Sequence, residues 1–149
     1  MSIFNSFNVN ASGMTAQRYR MDVIAENVAN IDTTRTQDGT PYRRKVVTFE
    51  EKGAKTPSFG SIFGTVSDRY KKQGVKVSKV TEDTWTQMKM VYDPSHPDAD
   101  ENGYVTYPNV NVVTEMTNLI DASRSYEANA TAFNASKSMA MKGLEISQS

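Results

Sequence analysis

Asn111-Val-Val-Thr-Glu-Met-Thr-Asn-Leu-Ile-Asp-Ala-Ser-Arg-Ser-Tyr-Glu-Ala-Asn129 decides the fold, because its apolar residues return at helical spacing. Val112, Leu119, Tyr126, Phe133 and Ala140 form one heptad row. Met116, Ser123, Ala130 and Leu144 form the companion row, which Lys137 interrupts. A row repeated every seven residues predicts a helix over 111–145 that packs along a partner helix. Pro108 and Asn109 close the preceding turn, and Asn111 is a good N-cap. Glu115 and Asp121 toward the start, and Lys137 and Lys142 toward the end, suit the helix dipole.

The partner lies at the other end of the chain. Phe7, Met14, Met21 and Val28 also recur every seven residues, with Phe4, Ala11 and Ala25 at the companion spacing and Arg18 as an interruption. This predicts a helix over 3–31. Its propensity is poor: Asn5, Ser6, Asn8, Asn10, Ser12 and Gly13 all disfavour a helix interior, glycine by about 1 kcal/mol relative to alanine. Such a helix needs a neighbour to bury its seam. At 1.5 Å per residue the two helices would run roughly 40 and 50 Å, more than a compact domain with a radius of gyration of about 15 Å can cover. The expected fold is therefore α+β. Long N- and C-terminal helices (1–34 with 109–149) pair as an antiparallel, coiled-coil-like rod, and 35–108 forms a small β-rich outer domain.

Within that middle segment, residues 44–50, 75–80 and 85–92 alternate apolar with polar side chains, as short strands do. A small open sheet or a pair of hairpins follows. Gly53, Pro57, Gly60, Gly64 and Gly74 punctuate the stretch between the first two, and 93–103 reads as a turn-rich loop. Trp85, Tyr92, Tyr104 and Tyr107 are expected in the core of the small domain, the other reading being that one of them anchors a partner surface. Outer-face residues such as Asn27, Asn30, Ala128, Asn129, Ala132, Asn134 and Ala135 are small or amide-bearing, which permits lateral packing of further helices. Met14, Met21 and Met116 lie in the seams, where an adaptable side chain tolerates differing neighbours.

Composition narrows the chemistry. The chain has 149 residues, the size of one domain. Its 17 basic residues match 17 acidic ones, which leaves no basic stripe to follow a nucleic-acid backbone. It has no cysteine, so disulfides, thiolate catalysis and cysteine-based metal sites are excluded. No apolar run is long enough to span a bilayer, and the first residues carry no secretory leader pattern. His96 is the only histidine and sits between prolines in a polar loop, without the nucleophile and orienting acid of a triad. Asp93, Asp98, Asp100 and Glu101 lack the spacing of a calcium loop and read as a solvated acidic loop. The glycines at 60 and 64 match neither a phosphate loop nor a nucleophile elbow. No enzyme, cofactor or metal site is expected. Two other classes stand as alternatives: a secreted coiled-coil effector or adaptor, which would share the heptads but not the small-residue outer faces, and an enzyme in the middle lobe, which would need a clustered acid/base pair or metal set that one histidine and no cysteine make remote.

Asn27-Val-Ala29-Asn30-Ile-Asp-Thr33, ending the first helix, resembles the Asn-x-Ala-Asn-x-x-Thr signature of bacterial flagellar rod, hook and hook-associated axial proteins. Pro41-Tyr-Arg-Arg follows, an aromatic-basic step often found there. Asp100-x-Asn-Gly-Tyr-Val, Pro108-Asn109-Val-Asn111-Val-Val-Thr-Glu-Met and Ala122-Ser123-Arg124-Ser-Tyr126-Glu-Ala-Asn129, then Lys137-Ser-Met, are similar to the basal-body rod proteins of that family. Relative to the compact form of the family, 53–73 resembles an inserted loop. The resemblance implies a subunit of the proximal rod whose terminal helices polymerise into a tubular drive shaft around an export channel, the middle domain facing outward. A hook-type axial protein of the same family is the alternative. It implies residence in the basal body within the cell envelope, and passage through the flagellar type III export apparatus without a cleaved signal peptide. Implied partners are other copies, other rod proteins, the hook–basal-body junction protein and distal rod subunits. Asn27 and Asn30 have two readings, capping of frayed helix carbonyls or donation to adjacent subunits.

Overall fold

The computed structural model describes residues 3–52 and 74–148, and the glycine-punctuated 53–73, including the expected inserted loop, lies outside the described residues. In chain order the elements are α1 (Ile3–Ala29), β1 (Lys45–Glu51), β2 (Val75–Glu82), β3 (Lys89–Tyr92), β4 (Tyr104–Tyr107) and α2 (Val112–Gln148). The architecture is α+β: an N-terminal and a C-terminal helix with two small antiparallel sheets, β1–β2 and β3–β4, between them in sequence.

The helix ends follow from local chemistry. The Asn111 side-chain carbonyl accepts from the amides of Val113 (3.0 Å) and Thr114 (3.2 Å), satisfying two of the orphan donors at the start of α2. At the other terminus of α1, the Asn30 side-chain amide donates to the Glu26 carbonyl (2.9 Å), while the Thr33 hydroxyl donates to Asn30 Oδ1 (3.1 Å). Asn30 is thus a C-capping residue. Inside α1 the weak helix formers turn their hydroxyls back onto the helix, Ser12 to the Val9 carbonyl and Thr15 to that of Ala11.

β3 and β4 pair Lys89 with Tyr107, Met90 with Thr106, Val91 with Val105 and Tyr92 with Tyr104. Alternation therefore puts Val91 and Val105 on one face, where Val105 is fully buried, and Tyr92 and Tyr104 on the other. The two tyrosine rings meet edge-on, centroids 5.3 Å apart. Gly103 leads into β4 at φ 79°, a left-handed conformation that glycine adopts without cost. The strand expected over 85–92 begins only at Lys89, because Asp83 accepts from the amides of Trp85 and Thr86 and turns the chain first. β4 falls beyond the expected turn-rich loop. The aromatic core is corrected too. Tyr92 and Tyr104 are exposed, because a two-stranded sheet has one covered face and the valines take it, and Trp85, 94% exposed, lies in the turn before β3.

The chain divides into two compact units: Met1–Tyr19, Thr48–Ser78 and Ala122–Ser149 in one, Arg20–Val47 and Lys79–Asp121 in the other. In the first, the rings of Phe7 and Phe133 lie 4.9 Å apart, and Gly13 faces Asn129 so closely that a Cβ there would sit 2.7 Å from its Oδ1. In the second, the end of α1 meets the start of α2 through Asn27 and Glu115. Among the described residues, no helix is long and apolar enough to cross a membrane.

Candidate functional site

Asn27 stands two residues before the end of α1 and is wholly buried. Its Oδ1 accepts from the Lys45 amide (2.8 Å) and the Tyr42 hydroxyl (2.9 Å). Its Nδ2 donates to the Lys45 carbonyl (2.9 Å) and to Glu115 Oε2 (3.0 Å). The side chain can make four such bonds, and all four are made. Two of them tie the start of β1 to α1, and one ties α2 to α1. The two sequence readings of Asn27 are therefore replaced: it neither caps the helix nor faces outward.

Glu115, in the first turn of α2, is 0% exposed. A buried carboxylate is costly unless paired and hydrogen-bonded. Arg44 supplies the pair: its Nε and Nη2 both reach Glu115 Oε1 at 2.8 Å. The Arg44 amide donates to Asn109 Oδ1 (2.9 Å), and Asn109 Nδ2 donates to the carbonyls of Asp83 (2.8 Å) and Thr86 (3.2 Å). The Asp83 carboxylate stands 3.7 Å from Arg44 Nη1. The hydroxyl and amide of Thr86 hold it below the usual carboxylate range, helped by the Trp85 amide and Arg44. Tyr42 is pushed up to about 12 by burial first, then by the carboxylates of Glu26, Glu115 and Glu82, so it remains a phenol that donates to Asn27. Lys45 pairs with Glu26 and lies over the Tyr42 ring.

Sequence reading singled out Asn27 and Asn109 in this cluster and placed Glu115 only as a helix-dipole residue. Tyr42 and Arg44 stood in the quoted aromatic-basic step without a role. One signal was available: Glu115 lies seven residues before Ala122, which is seven before Asn129 and fourteen before Ser136. That row, small and polar, is the covered one. In the second unit it buries Glu115; in the first it buries Ala122 and Ser136 and half-buries Asn129. The large apolar row expected to be covered lies elsewhere on the helix. Val112, Met116 (55% exposed) and Leu119 are exposed in the second unit, as are Tyr126 and Leu144 in the first. Val113 (75%) and Ile120 join them. Phe133 and Ser123 are half-buried and Arg124 is exposed.

In α1 the offset is one residue. Gly13, Ala16, Val23, Ile24 and Asn27 are buried, whereas Phe7, Met14, Met21 and Val28 are half-buried and Ala29 is exposed. The reason is steric. In the first unit, a Cβ at Gly13 would sit 2.7 Å from Asn129 Oδ1, so this row admits an approach that a larger side chain would block.

The acidic loop is held by its own chain. Asp98 accepts from the Thr34 hydroxyl (2.8 Å) and lies 3.7 Å from Arg35; Asp100 Oδ1 accepts from the amides of Asn102 and Tyr104. Asp93 is lowered by Ser95, its hydroxyl before its amide. His96 is half-buried, its Nδ1 accepting from the Asp98 amide (3.1 Å). Beside this loop an open depression of about 370 Å³ is lined by Thr34, Arg35, Pro41, Pro97, Asp98 and Tyr104 among others.

Two family descriptions match the chain: "Flagella basal body rod protein" over residues 7–36, and "Flagellar basal body rod FlgEFG protein C-terminal" over residues 101–146. The chain is 50% identical to the flagellar basal-body rod protein FlgC of Bacillus subtilis (strain 168), over 98% of this chain and 99% of the relative. It is 45% identical to FlgC of Borreliella burgdorferi, over 99% of each, and 42% identical to FlgC of Salmonella typhimurium, over 99% of this chain and 100% of the relative. The chain belongs to the FlgC family of flagellar basal-body rod proteins.

Proposed function

We propose that the chain is a structural subunit of the flagellar basal-body rod that assembles through the apolar residues left uncovered on α2. One observation carries the mode of assembly: Val113, Met116 and Ile120 are exposed on the same helix that buries Glu115. They are spaced three and four residues apart, so they form one stripe, and an apolar stripe of this kind marks an interaction surface. Met141 and Leu144, three residues apart and both exposed, repeat the spacing nearer the C-terminus. The proposed occupants are helices of neighbouring rod subunits, either copies of this chain or its relatives.

On this reading the terminal segments 1–34 and 109–149 pair in coiled-coil fashion, form the assembling part and surround the export channel, while 35–108 faces outward. The hook–basal-body junction protein and the distal rod subunits are further partners, and the type III export apparatus delivers the chain. The work is mechanical: torque passes along a stiff, multiply packed helical tube, and no bond is made or broken. Met116→Asp and Leu144→Asp each place a charge where an apolar neighbour would sit. Each should abolish swimming when it replaces the native copy, and should remove the subunit from isolated basal bodies, with helix content by circular dichroism unchanged. Normal swimming by both variants would refute the assignment of this face.

A further inference from the structure

We infer that Asn27, Arg44 and Glu115 are a register key, which fixes where along α1 the start of α2 must sit and discriminates against slipped pairings. The inference stands on packing within the chain and holds whatever the assembled neighbours are.

The covered row of α2 is poor at specifying its own position. Ala122, Asn129 and Ser136 are all small, and each could occupy nearly the same space against a facing helix. A slip of seven residues, about 10.5 Å along the axis, would bring Ala122 or Ser136 to Gly13 in place of Asn129, so this contact alone does not forbid it. The Phe7–Phe133 ring contact resists a slip that brings Ala140 to Phe7, but resists less one that brings Tyr126, another aromatic residue. Glu115 breaks the degeneracy. A slip of one heptad brings Ala122 or Pro108 to Asn27 in its place. Arg44 then faces no carboxylate, and one donor of Asn27 loses its acceptor. A single-residue shift turns Glu115 by about 100° and has the same result.

A buried ion pair is weak grounds for stability, since well-packed apolar residues often do as well or better. Setting register is the best-attested use of such groups. A lone asparagine in a helix seam works in the same way. Here the asparagine is also bonded to both polar backbone groups of Lys45, so β1 is keyed to the same position.

The chain has no cysteine, so engineered disulfides report register without background. In the full chain, Gly13→Cys with Asn129→Cys reads the native pairing, where Gly13 already faces the Asn129 side chain. Gly13→Cys with Ala122→Cys, and Gly13→Cys with Ser136→Cys, read heptad slips in either direction. With the key intact, the native pair should cross-link and the slipped pairs should not. In the apolar variant Asn27→Leu/Arg44→Met/Glu115→Leu, helix content should persist while the native-to-slipped ratio falls at least about threefold, the scale of coupling between contacting residues. An unchanged ratio would overturn the key.

Should the apolar variant cross-link at no pair, Glu115→Gln decides. It retains the shape and the contact to Asn27 but loses the charge opposite Arg44. A fall in its ratio supports the key, and a ratio equal to that of the parent overturns it.

Discussion

Glu115 and Met116 are neighbours in sequence, yet the carboxylate is fully buried and the thioether is 55% exposed. A self-sufficient globule arranges such a pair the other way round. Around Glu115 the chain spends polar groups on fixing one geometry; around Met116 it leaves apolar area uncovered. The contrast separates two tasks that a globular core performs together: specificity is kept inside the chain, and adhesion is left to its surface.

The contrast makes its largest demand on stability. Glu115→Ala leaves the half-buried guanidinium of Arg44 without its closest carboxylate and one donor of Asn27 without its acceptor, and breaking a buried pair from one side costs up to about 3–5 kcal/mol. Met116→Ala removes a side chain that is mostly in water and should stay within about 0.5 kcal/mol. Urea unfolding of both variants gives the comparison directly. A larger loss from Met116→Ala than from Glu115→Ala would invert it.

A smaller effect separates two glycines of the helices. A Cβ at Gly13 would meet Oδ1, Cγ and Nδ2 of Asn129 at 2.7, 2.9 and 3.1 Å, whereas none at Gly143 would meet anything within 4 Å. Asn129 is not free to swing away, because its Nδ2 donates to the Ser125 carbonyl at 2.7 Å. Gly13→Val should therefore cost about 1–3 kcal/mol through overpacking. Gly143→Ala should gain up to about 1 kcal/mol from helix propensity. Equal effects at the two sites would show that close approach at Gly13 is not selective.

Both helices were legible because a seven-residue period survives poor local propensity, and Asn111 marks the start of α2 as its residue type implies. The face they cover was not. Hydrophobicity picks out Val112, Met116 and Leu119, but contact in this chain goes to the row that allows the closest approach, and a heptad pattern cannot tell a seam within a chain from one between chains. β4 was hidden for a different reason. Tyr104–Tyr107 is four residues long and follows a run of turn formers, so alternation had little length to act on. Asn27 and Asn109 were recognisable from the family signature, but their partners were not. Arg44 lies 71 residues from Glu115 in sequence, and no local pattern carries a contact of that range.

The smallest effect lies at the rim of the buried cluster and depends on pH. Tyr42 donates to Asn27 at 2.9 Å, so Tyr42→Phe leaves one acceptor valence of the amide unfilled, at a cost of about 1 kcal/mol near neutrality. Burial and the nearby carboxylates of Glu26, Glu115 and Glu82 hold the phenol at about 12, against 10.0 for the unperturbed group. Folding therefore favours the neutral form. The contribution is fully present below pH 10 and is lost as pH rises from 10 toward 12, where the unfolded chain releases the proton first. The chain has six other tyrosines, so the informative quantity is the difference between parent and variant. That difference should be constant up to about pH 10 and shrink above it. If it stays flat to pH 12, the hydroxyl of Tyr42 is not held by Asn27, and the polar cluster ends at Lys45 and Glu115.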